Sequence, residues 1–240
     1  MIQGRRVLAV CPARGGSKGI PMKNLRPILG RPMVSRVGDV VRAVPAIDRA
    51  VISTDHDGIA QVAEEAGLAA PFRRPEDLSG DRVADLPVLI HALQEMERQD
   101  NVRYDIILML QPTSPLRRPE HVQDCLDRLV EGGLDSAWTV SETDSKGHPL
   151  KQLTIKDGRL DYYDQAGRQI IARQQLGTVY HRNGVCYAIT RECLLEKNSI
   201  AGDAWGAVVI DEPMVSIDTE FDIALVEFLM RYRDGAGSQG

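Results

Sequence analysis

The sequence lacks a long hydrophobic run, a basic excess and any closely spaced pair of cysteines. None of its 240 residues belongs to an apolar stretch of the roughly 18 residues that a membrane span needs, so we expect no membrane association. The first apolar run, VLAVC, is too short for the hydrophobic region of a signal peptide, and we expect a cytoplasmic protein. The formal net charge of -5 argues against nucleic acid as a partner, because phosphate backbones require a basic surface.

The cysteines and histidines also form no familiar metal or redox motif. The four cysteines, which are Cys11, Cys125, Cys186 and Cys193, include no C-x-x-C pair and no metal-like spacing with histidine. Three of them lie in apolar runs, and we predict buried structural thiols. No Ser/His/Asp or Cys/His arrangement indicates covalent catalysis.

Apolar strands alternate with amphipathic helices up to about Val140. RVLAVC, RAVIST and DIILML have the composition of strands, and the first and last are the continuous apolar runs of strands buried on both faces. Helical spacing follows in RPMVSRVGDVVRAV, with Pro32 in its first turn, and then in DGIAQVAEEAG, ADLPVLIHALQEMERQ and EHVQDCLDRLVEGG. The alternation predicts an α/β fold with a doubly wound, mostly parallel, Rossmann-like sheet. Ligands of such sheets bind beyond the carboxyl ends of the strands.

After Val140 the pattern changes to an extended β-hairpin. LKQLTIKDGRLDYYDQAGRQII alternates apolar and polar residues around turns at Asp157-Gly158 and 165–167. Half-buried positions are expected at Leu153, Ile155, Leu160 and Tyr162. A hairpin cannot bury this face alone, so we expect it to pack on a second subunit. We assign 1–145 and 184–233 to the α/β domain, 146–183 to a dimerisation hairpin and 234–240 to a flexible tail.

The first strand leads into a loop, CPARGGSKGIPMKN, that is rich in glycine and cations. It matches neither familiar phosphate-binding pattern. A Walker A loop would place Gly and Lys where Ile20 and Pro21 stand, and Ser17 occupies the place of the second glycine of G-x-G-x-x-G.

The physical requirements of a phosphate site are nevertheless present in this loop. Its glycines allow backbone N–H groups to approach an anion closely. Arg14 and Lys18 can neutralise a polyphosphate, and Lys23 can reach a different phosphate. The alternative is a solvated basic turn, and the position after the first strand favours phosphate binding.

Eight blocks of the sequence resemble one enzyme family. ARGGSKGIPMKN resembles the N-terminal signature of the acylneuraminate cytidylyltransferases, the CMP-sialic acid synthetase group. VISTD, RRPEDLSGD, LMLQPTSPLR, HPLK, RQQL, RNGVCY and SIDTEFD resemble its later blocks, in the same order, from about Val7 to Leu229. The resemblance implies a nucleotidyltransferase that uses CTP to activate a nonulosonic (sialic-acid-like 2-keto-3-deoxy) sugar acid in cell-surface glycan biosynthesis. It also implies Mg²⁺ and a homodimer, with a tetramer left open.

The resemblance assigns the glycine-rich loop to the nucleotide. Arg14 and Lys18 would hold the β- and γ-phosphates, and Lys23 would stabilise charge at the α-phosphate, so these exposed loop cations are the catalytic candidates. Asn24 would contact nearby phosphate or ribose oxygens. The remaining nucleotide-binding residues of the loop are Gly15, Gly16 and Ser17.

RRPEDLSGD resembles the family's base-binding region. Arg74 would lie near the pyrimidine, and Asp81 would fix this segment or the ribose. Asp85 stands where the family usually has serine, and its carboxylate could accept hydrogen bonds from guanine. A GTP-using guanylyltransferase for legionaminic acid therefore stays open. The alternative interpretation of Asp85 is a solvent-facing carboxylate at a helix start.

The remaining blocks are assigned to the sugar acid by resemblance. Gln111 would contact the sugar. Lys151 and Arg173 would bind its carboxylate across the dimer, since charge-assisted donors suit that group. Gln175 would add hydrogen bonds. Tyr180 or Tyr187 would pack on the N-acyl group, with sheet packing expected for Tyr187.

SIDTEFD would supply the metal site. Asp218 is the candidate Mg²⁺ ligand, and Asp222 is expected to be structural. Ser216 replaces the first aspartate of the family's D-I-D, which leaves a second protein ligand open. A non-catalytic nucleotide-sugar-binding protein is therefore the remaining alternative, although the cations of the glycine-rich loop argue against it.

Overall fold

The centre of the fold is a six-stranded sheet in a chain whose computed structural model describes residues 1–237. Its strands are β1 (Val7–Pro12), β4 (Arg49–Ser53), β5 (Ile106–Met109), β6 (Ser136–Glu142), β9 (Tyr180–Thr190) and β10 (Trp205–Val209), in the spatial order β10-β6-β9-β5-β1-β4. The smaller strands are β2 (Pro27–Ile28), β3 (Arg31–Pro32), β7 (Leu153–Lys156) and β8 (Arg159–Tyr162). The helices are α1 (Ser35–Ala43), α2 (Asp57–Glu65), α3 (Asp85–Asp100), α4 (Pro119–Glu131), α5 (Arg191–Leu195) and α6 (Glu220–Gly237).

The sheet is parallel except for β9. β1 pairs in parallel with β4 and β5, and β6 pairs in parallel with β10, whereas β9 runs antiparallel between β5 and β6. The carboxyl ends of β1, β4, β5 and β6 therefore meet at one edge, together with the start of β9. This topology confirms the predicted doubly wound, mostly parallel α/β sheet.

Two apolar clusters cover the two faces of the sheet. On one face, alternate residues of β1 and β5 such as Ala9 and Leu108 pack against α1, α2 and α4. On the other, Val10 and Met109 pack against α3 and α5. All residues of β5 are fully buried, which explains its continuous apolar sequence.

A third cluster joins the glycine-rich loop to the last helix. Ile20 of that loop is 1% exposed and packs with the buried Ile217 and Ile223, which flank the start of α6. Ile28 of β2 and Met33, which follows β3, also belong to this cluster. The contact brings the first and last sequence blocks of the candidate site to the same edge of the sheet.

The predicted hairpin forms as β7 and β8, outside the main sheet. The strands pair antiparallel, with a positive φ at Asp157 and Gly158 in the turn between them. Leu153, Ile155 and Leu160 are 51%, 75% and 66% exposed, so the expectation of half-buried positions fails for these three residues within one chain. Tyr162 is partly buried. Packing of the hairpin on a second subunit stays a prediction.

Several boundaries differ from those expected. α1 begins at Ser35, and Pro32 lies in β3 rather than in the first helical turn. β6 was not predicted, and β9 starts at Tyr180, inside the segment assigned to the hairpin. α6 continues to Gly237, and the rest of the predicted tail, 238–240, lies outside the described residues.

Two predictions from composition can be compared directly with the described chain. All four cysteines are buried and unpaired, as predicted. Between residues 1 and 237, no helix combines the length and apolar character that crossing a membrane requires.

Gly38→Ala is expected to destabilise the fold. Gly38 faces α2 from the middle of α1, and an added Cβ would overlap the carbonyl oxygen of Ala66. Overpacking of this kind costs about 1–3 kcal/mol in the free energy of unfolding, which urea denaturation measures. Gly177→Ala is the control, because no atom lies within 4 Å of its added Cβ. Equal stability of the two variants would contradict the close helix contact.

Candidate active site

A cavity of about 510 Å³ lies at the edge where the carboxyl ends of the parallel strands meet. Its wall comes from the loops after β1 and β5, the segment between α2 and α3, and the segment before α6. The residues singled out from the sequence that line it are Arg14, Ser17, Lys18, Lys23, Asn24, Arg74, Asp81, Asp85, Gln111, Ser216 and Asp218. Gly15 and Gly16 belong to the same loop but do not line the cavity.

Asp81 binds both cations assigned to the β- and γ-phosphates. Arg14 Nη1 and Lys18 Nζ each lie 2.5 Å from a different carboxylate oxygen of Asp81. The hydrogen bonds from Lys18 and Arg14 hold the pKa of the Asp81 carboxyl below its usual value. The carboxylate therefore stays charged and pairs with both of the cations that the resemblance assigns to phosphate.

The glycine-rich loop is held by contacts at three points. Asp55, just after β4, accepts a 2.8 Å hydrogen bond from the Gly15 N–H. Asn24 is buried, and its Nδ2 donates to the Arg14 carbonyl at 2.9 Å. A Cβ at Gly19 would lie 2.6 Å from the Asp218 carbonyl oxygen, so only glycine allows this approach. The loop is thus shaped before any ligand binds.

Lys23 is tied to the segment that holds the candidate metal ligand. Its Nζ donates to the Ile217 carbonyl and to Asp218 Oδ1, both at 2.9 Å. The Lys23 side chain is 16% exposed, so the expectation of an exposed loop lysine is wrong; its Nζ is held by the segment before α6. Lys18, at 79% exposed, fits that expectation.

Asp222 fixes the turn around Asp218. One Asp222 oxygen accepts from the N–H groups of Asp218 and Thr219, at 3.0 and 2.7 Å, and from the Thr219 hydroxyl. The Asp222 N–H in turn donates to the Thr219 hydroxyl at 3.3 Å, which completes the reciprocal capping box of a helix start. Asp222 is structural, as predicted. Ser216 lies beside Thr113, with 3.4 Å between their hydroxyl oxygens.

Arg74 and Asp85 face the cavity from the segment before α3. Arg74 is buried, and its guanidinium donates to the hydroxyl and carbonyl oxygens of Ser53 at the end of β4. Asp85 is the first residue of α3 and is partly buried. Burial raises the pKa of its carboxyl, while the charges of Arg182 and Arg74 act in the opposite direction. Asp85 is both a helix-start carboxylate and a cavity residue.

Gln111 is positioned by the turn after β5. The buried Arg117 donates to the Gln111 and Gly184 carbonyls and so joins this turn to β9. Gly184 has a φ of +71°, and a Cβ there would lie 2.5 Å from Gln111 Oε1. Arg117 is therefore structural, and glycine at 184 leaves the space that the Gln111 side chain fills.

The other predicted sugar-binding residues lie outside the cavity. Lys151 and Arg173 are exposed on the segment that carries the hairpin. Gln175 accepts from the Ile171 and Ala172 N–H groups and so shapes a turn of that segment. Tyr180 lines a separate apolar cleft. The cavity of a single chain is therefore lined by most of the predicted nucleotide-binding residues and by Gln111. The other predicted sugar-binding residues do not line it.

Two contributors were not assigned a role from the sequence. Asp55 is the last residue of the VISTD block and follows β4, the strand that pairs with β1. Its position at the end of a strand was the only signal in the sequence that it could belong to the site. Thr113 lines the cavity, and its carbonyl accepts from the Ile217 N–H at 2.9 Å. No local pattern could have indicated that contact, because the partners lie far apart in the sequence.

A family model described as Cytidylyltransferase matches residues 8–197, which is most of the chain. The chain belongs to the cytidylyltransferase family. The predicted family and enzyme class are thereby confirmed: this is an enzyme of cytidylyltransferase type. Its matched segment includes every cavity residue except those that precede α6.

Named relatives span nearly the whole cytidylyltransferase chain. The CMP-N,N'-diacetyllegionaminic acid synthase of Legionella pneumophila is 31% identical over 243 residues, covering 96% of this chain and 99% of the relative. The pseudaminic acid cytidylyltransferase of Campylobacter jejuni is 27% identical over 226 residues, covering 93% and 96%. A solved CMP:2-keto-3-deoxy-manno-octonic acid synthetase, complexed with CTP, shares the fold with a TM-score of 0.69 at 20% identity, covering 95% of this chain and 99% of that one.

Asp81→Asn is expected to strengthen binding of inorganic pyrophosphate. The variant removes the negative charge between Arg14 and Lys18, so an anion no longer competes with two ion pairs. Exposed pairs of this kind are weak, and we expect a gain in affinity of about threefold by titration calorimetry. Asp57→Asn is the control, since Asp57 pairs with Arg73 and does not line the cavity. Weaker binding by Asp81→Asn would instead mean that Asp81 orders the loop for phosphate.

Proposed function

We propose that this cytidylyltransferase activates a nonulosonic acid with CTP, giving the CMP-sugar and pyrophosphate, as a cytoplasmic step in cell-surface glycan biosynthesis. The observation that supports this proposal most directly is the cavity, which is lined both by Arg14, Lys18 and Lys23 of one loop and by Gln111. The cations suit a triphosphate and the amide suits a polyhydroxylated acid. Relatives named for legionaminic and pseudaminic acids support this class of sugar acid.

The reaction needs positioning and charge stabilisation more than covalent chemistry. The anomeric oxygen of the sugar acid forms a bond to the α-phosphorus, and the bond from that phosphorus to the bridging oxygen of the β-phosphate breaks. Lys23 is placed to stabilise charge at the α-phosphate, while Arg14 and Lys18 receive the leaving pyrophosphate. Asp81 then competes for the same two cations, which favours product release.

Mg²⁺ is proposed as the cofactor, and the residues present fit it. Asp218 offers a hard carboxylate oxygen, 75% exposed, at the cavity wall. Within residues 1–237 no three His, Cys, Asp or Glu side chains form a metal-binding group, so phosphates and water would complete the coordination. The bound ion would neutralise phosphate charge.

The observations favour CTP and catalysis over the two alternatives. The family description and the relatives' names refer to cytidylyl transfer, which supports CTP rather than GTP. Asp85 faces the cavity, but its place in the first turn of α3 already explains why a carboxylate stands there. A hydrogen bond to guanine is therefore not needed to explain it. Retention of every loop cation at the cavity argues against a binding protein that has lost catalysis.

We also propose that the hairpin segment completes the sugar site of a second subunit. Lys151 and Arg173 are exposed and lie outside their own cavity. Exposed apolar residues on β7 and β8 offer the surface for a homodimer. Each site would then combine the glycine-rich loop of one subunit with the cations of the other.

Pyrophosphate release from CTP, GTP, UTP and ATP, measured with a panel of keto sugar acids, tests the reaction. We expect release with CTP and a nonulosonic acid, and loss of release when Mg²⁺ is chelated. Lys18→Ala should lose most of the turnover with little change in unfolding temperature, because the Lys18 side chain is 79% exposed. Release only with GTP would overturn the base assignment, and no release with any pair would overturn the proposed function.

Mixed dimers test whether the hairpin acts across the interface. Lys23→Ala and Arg173→Ala are each expected to be nearly inactive alone. Randomly mixed dimers should recover about a quarter of the wild-type rate, because one of the two sites in each heterodimer then holds both side chains. Mixing Lys23→Ala with Lys18→Ala is the control and should recover nothing, since both residues belong to one loop. Absence of recovery in the first mixture would place Arg173 outside the partner's site.

A further inference from the structure

His148 is a buried side chain in an otherwise exposed part of the chain. Of residues 146–179, all of which the structure describes, only His148 and Gly167 are buried. The relative exposure of His148 is 5%. A side chain with so little exposed surface acts through the residues that it contacts rather than through direct contact with a ligand.

Both ring nitrogens of His148 lie within hydrogen-bond distance of backbone groups. Nδ1 is 3.1 Å from the Leu150 nitrogen, and Nε2 is 3.1 Å from the Gly177 carbonyl oxygen. Because an amide N–H can only donate and a carbonyl oxygen can only accept, Nδ1 is the acceptor and Nε2 carries the proton. The neutral imidazole in this tautomer satisfies both contacts at once.

The first contact orders the short helix that carries Lys151. His148 is the residue before the 3-10 helix Pro149–Lys151, and its carbonyl also accepts from the Lys151 N–H at 2.8 Å. A helix of three residues is not stable without such contacts. The position of Lys151 therefore depends on the cap that His148 provides.

The second contact holds the segment that carries Arg173. Gly177 lies two residues after the 3-10 helix Arg173–Gln175. Gln175 shapes the turn before that helix, since its side chain accepts from the Ile171 and Ala172 N–H groups. The bond from His148 joins this shaped turn to the helix that carries Lys151.

The charge of Arg173 also acts close to His148. The N–H groups of Gly147 and Lys146 lower the pKa of the Asp144 carboxyl, and the charge of Arg173 acts in the same direction. Arg173 therefore lies near the segment that leads into His148. One imidazole thus links the two parts of the hairpin segment that carry the candidate sugar-binding cations.

We propose that His148 is a positioning residue that fixes Lys151 and Arg173 relative to each other. The inference rests on the proposed function, in which these two cations bind the carboxylate of the sugar acid in the site of a second subunit. A single carboxylate accepts from both cations only when their spacing matches it. Ordering them before the sugar acid arrives lowers the cost of binding.

Separate titrations of CTP and of the sugar acid test this role. The acid is whichever of N-acetylneuraminic, N,N'-diacetyllegionaminic and pseudaminic acid the wild type uses best. His148→Ala should raise the KM for this acid about tenfold, because two misplaced cations bind it less well. The KM for CTP should not change, since the hairpin segment does not line the cavity of its own chain.

Conservative variants separate the two contacts of the ring. His148→Asn keeps an acceptor near the place of Nδ1, and His148→Gln keeps a donor near the place of Nε2. Each loses one hydrogen bond and should raise the KM for the sugar acid about threefold. Gln152→Ala is the matched control and should change neither KM. It removes a hydrogen bond to the Lys146 carbonyl that lies within one part of the hairpin segment.

Mixed dimers give a readout that loss of stability alone would not produce. At a low concentration of the sugar acid, His148→Ala mixed with Lys23→Ala should recover about a quarter of the wild-type rate, because one site of each heterodimer then has an intact loop and an intact hairpin segment. His148→Ala mixed with Arg173→Ala should recover nothing beyond the average of the two variants, since every site then receives a defective hairpin segment.

Hydrogen exchange measures the link without turnover. Peptides that span 149–152 and 171–177 are followed by mass spectrometry. His148→Ala should exchange about tenfold faster than the wild type in both peptides, because the bonds that order the two turns depend on the ring. Gln152→Ala should match the wild type in the second peptide.

The outcomes distinguish this inference from the proposed function. An unchanged KM for the sugar acid in His148→Ala, or equal rises in both KM values, would overturn the positioning role and leave the proposed function intact. Recovery of Lys23→Ala by Arg173→Ala but not by His148→Ala would also overturn it. Absence of pyrophosphate release by the wild type would overturn the proposed function. Faster exchange in both peptides would then still support the link, and unchanged exchange would overturn it.

Discussion

The candidate site depends on a buried contact between the glycine-rich loop and the last helix. Ile20 has almost no exposed surface and packs with Ile217 and Ile223. Because these side chains are fixed, Lys23 meets Asp218 at 2.9 Å although the two residues are 195 positions apart. Apolar burial stabilises the contact between the two segments but does not fix its geometry. The hydrogen bonds of Lys23 fix how the two segments lie relative to each other. Without this packing, the two charged segments would have no common position.

Three aspartates hold the groups to which we assign the triphosphate. Asp55 accepts from the Gly15 N–H, Asp81 binds two loop cations, and Asp218 binds Lys23. Three of the four cations that line the cavity, Arg14, Lys18 and Lys23, are therefore paired with a carboxylate. Under the proposed assignment, nucleotide binding would exchange these carboxylates for phosphates in a loop that is already shaped. Preorganisation of this kind lowers the ordering cost of binding, whereas the existing ion pairs of Asp81 would oppose it.

Features that depend on local residue pattern and on strand order could be predicted from the sequence. The alternation of β1, β4 and β5 with helices placed the glycine-rich loop at the ligand-binding edge, the family resemblance added Arg74 and Gln111, and the structure has residues of all three at one cavity. The failures have non-local causes. β6 was missed because Ser136, Thr139 and Ser141 break its apolar run, although they are buried in the sheet. Lys23 is covered by a segment from the other end of the chain. The contacts of Lys151 and Arg173 with a second subunit cannot be tested within one chain.

The separation of Lys23 from Asp218 along the chain also sets an order of events during synthesis. The ribosome makes the loop cations first and the segment that holds Lys23 about two hundred residues later, as their separation of 195 positions requires. A nucleotide stabilises only conformations that bind it, so it cannot support the folding of the sheet before that last segment emerges. The core of β1, β4 and β5 must therefore form from its own burial. The complete candidate site, with Lys23 bound to Asp218, can form only after residue 218 has been made.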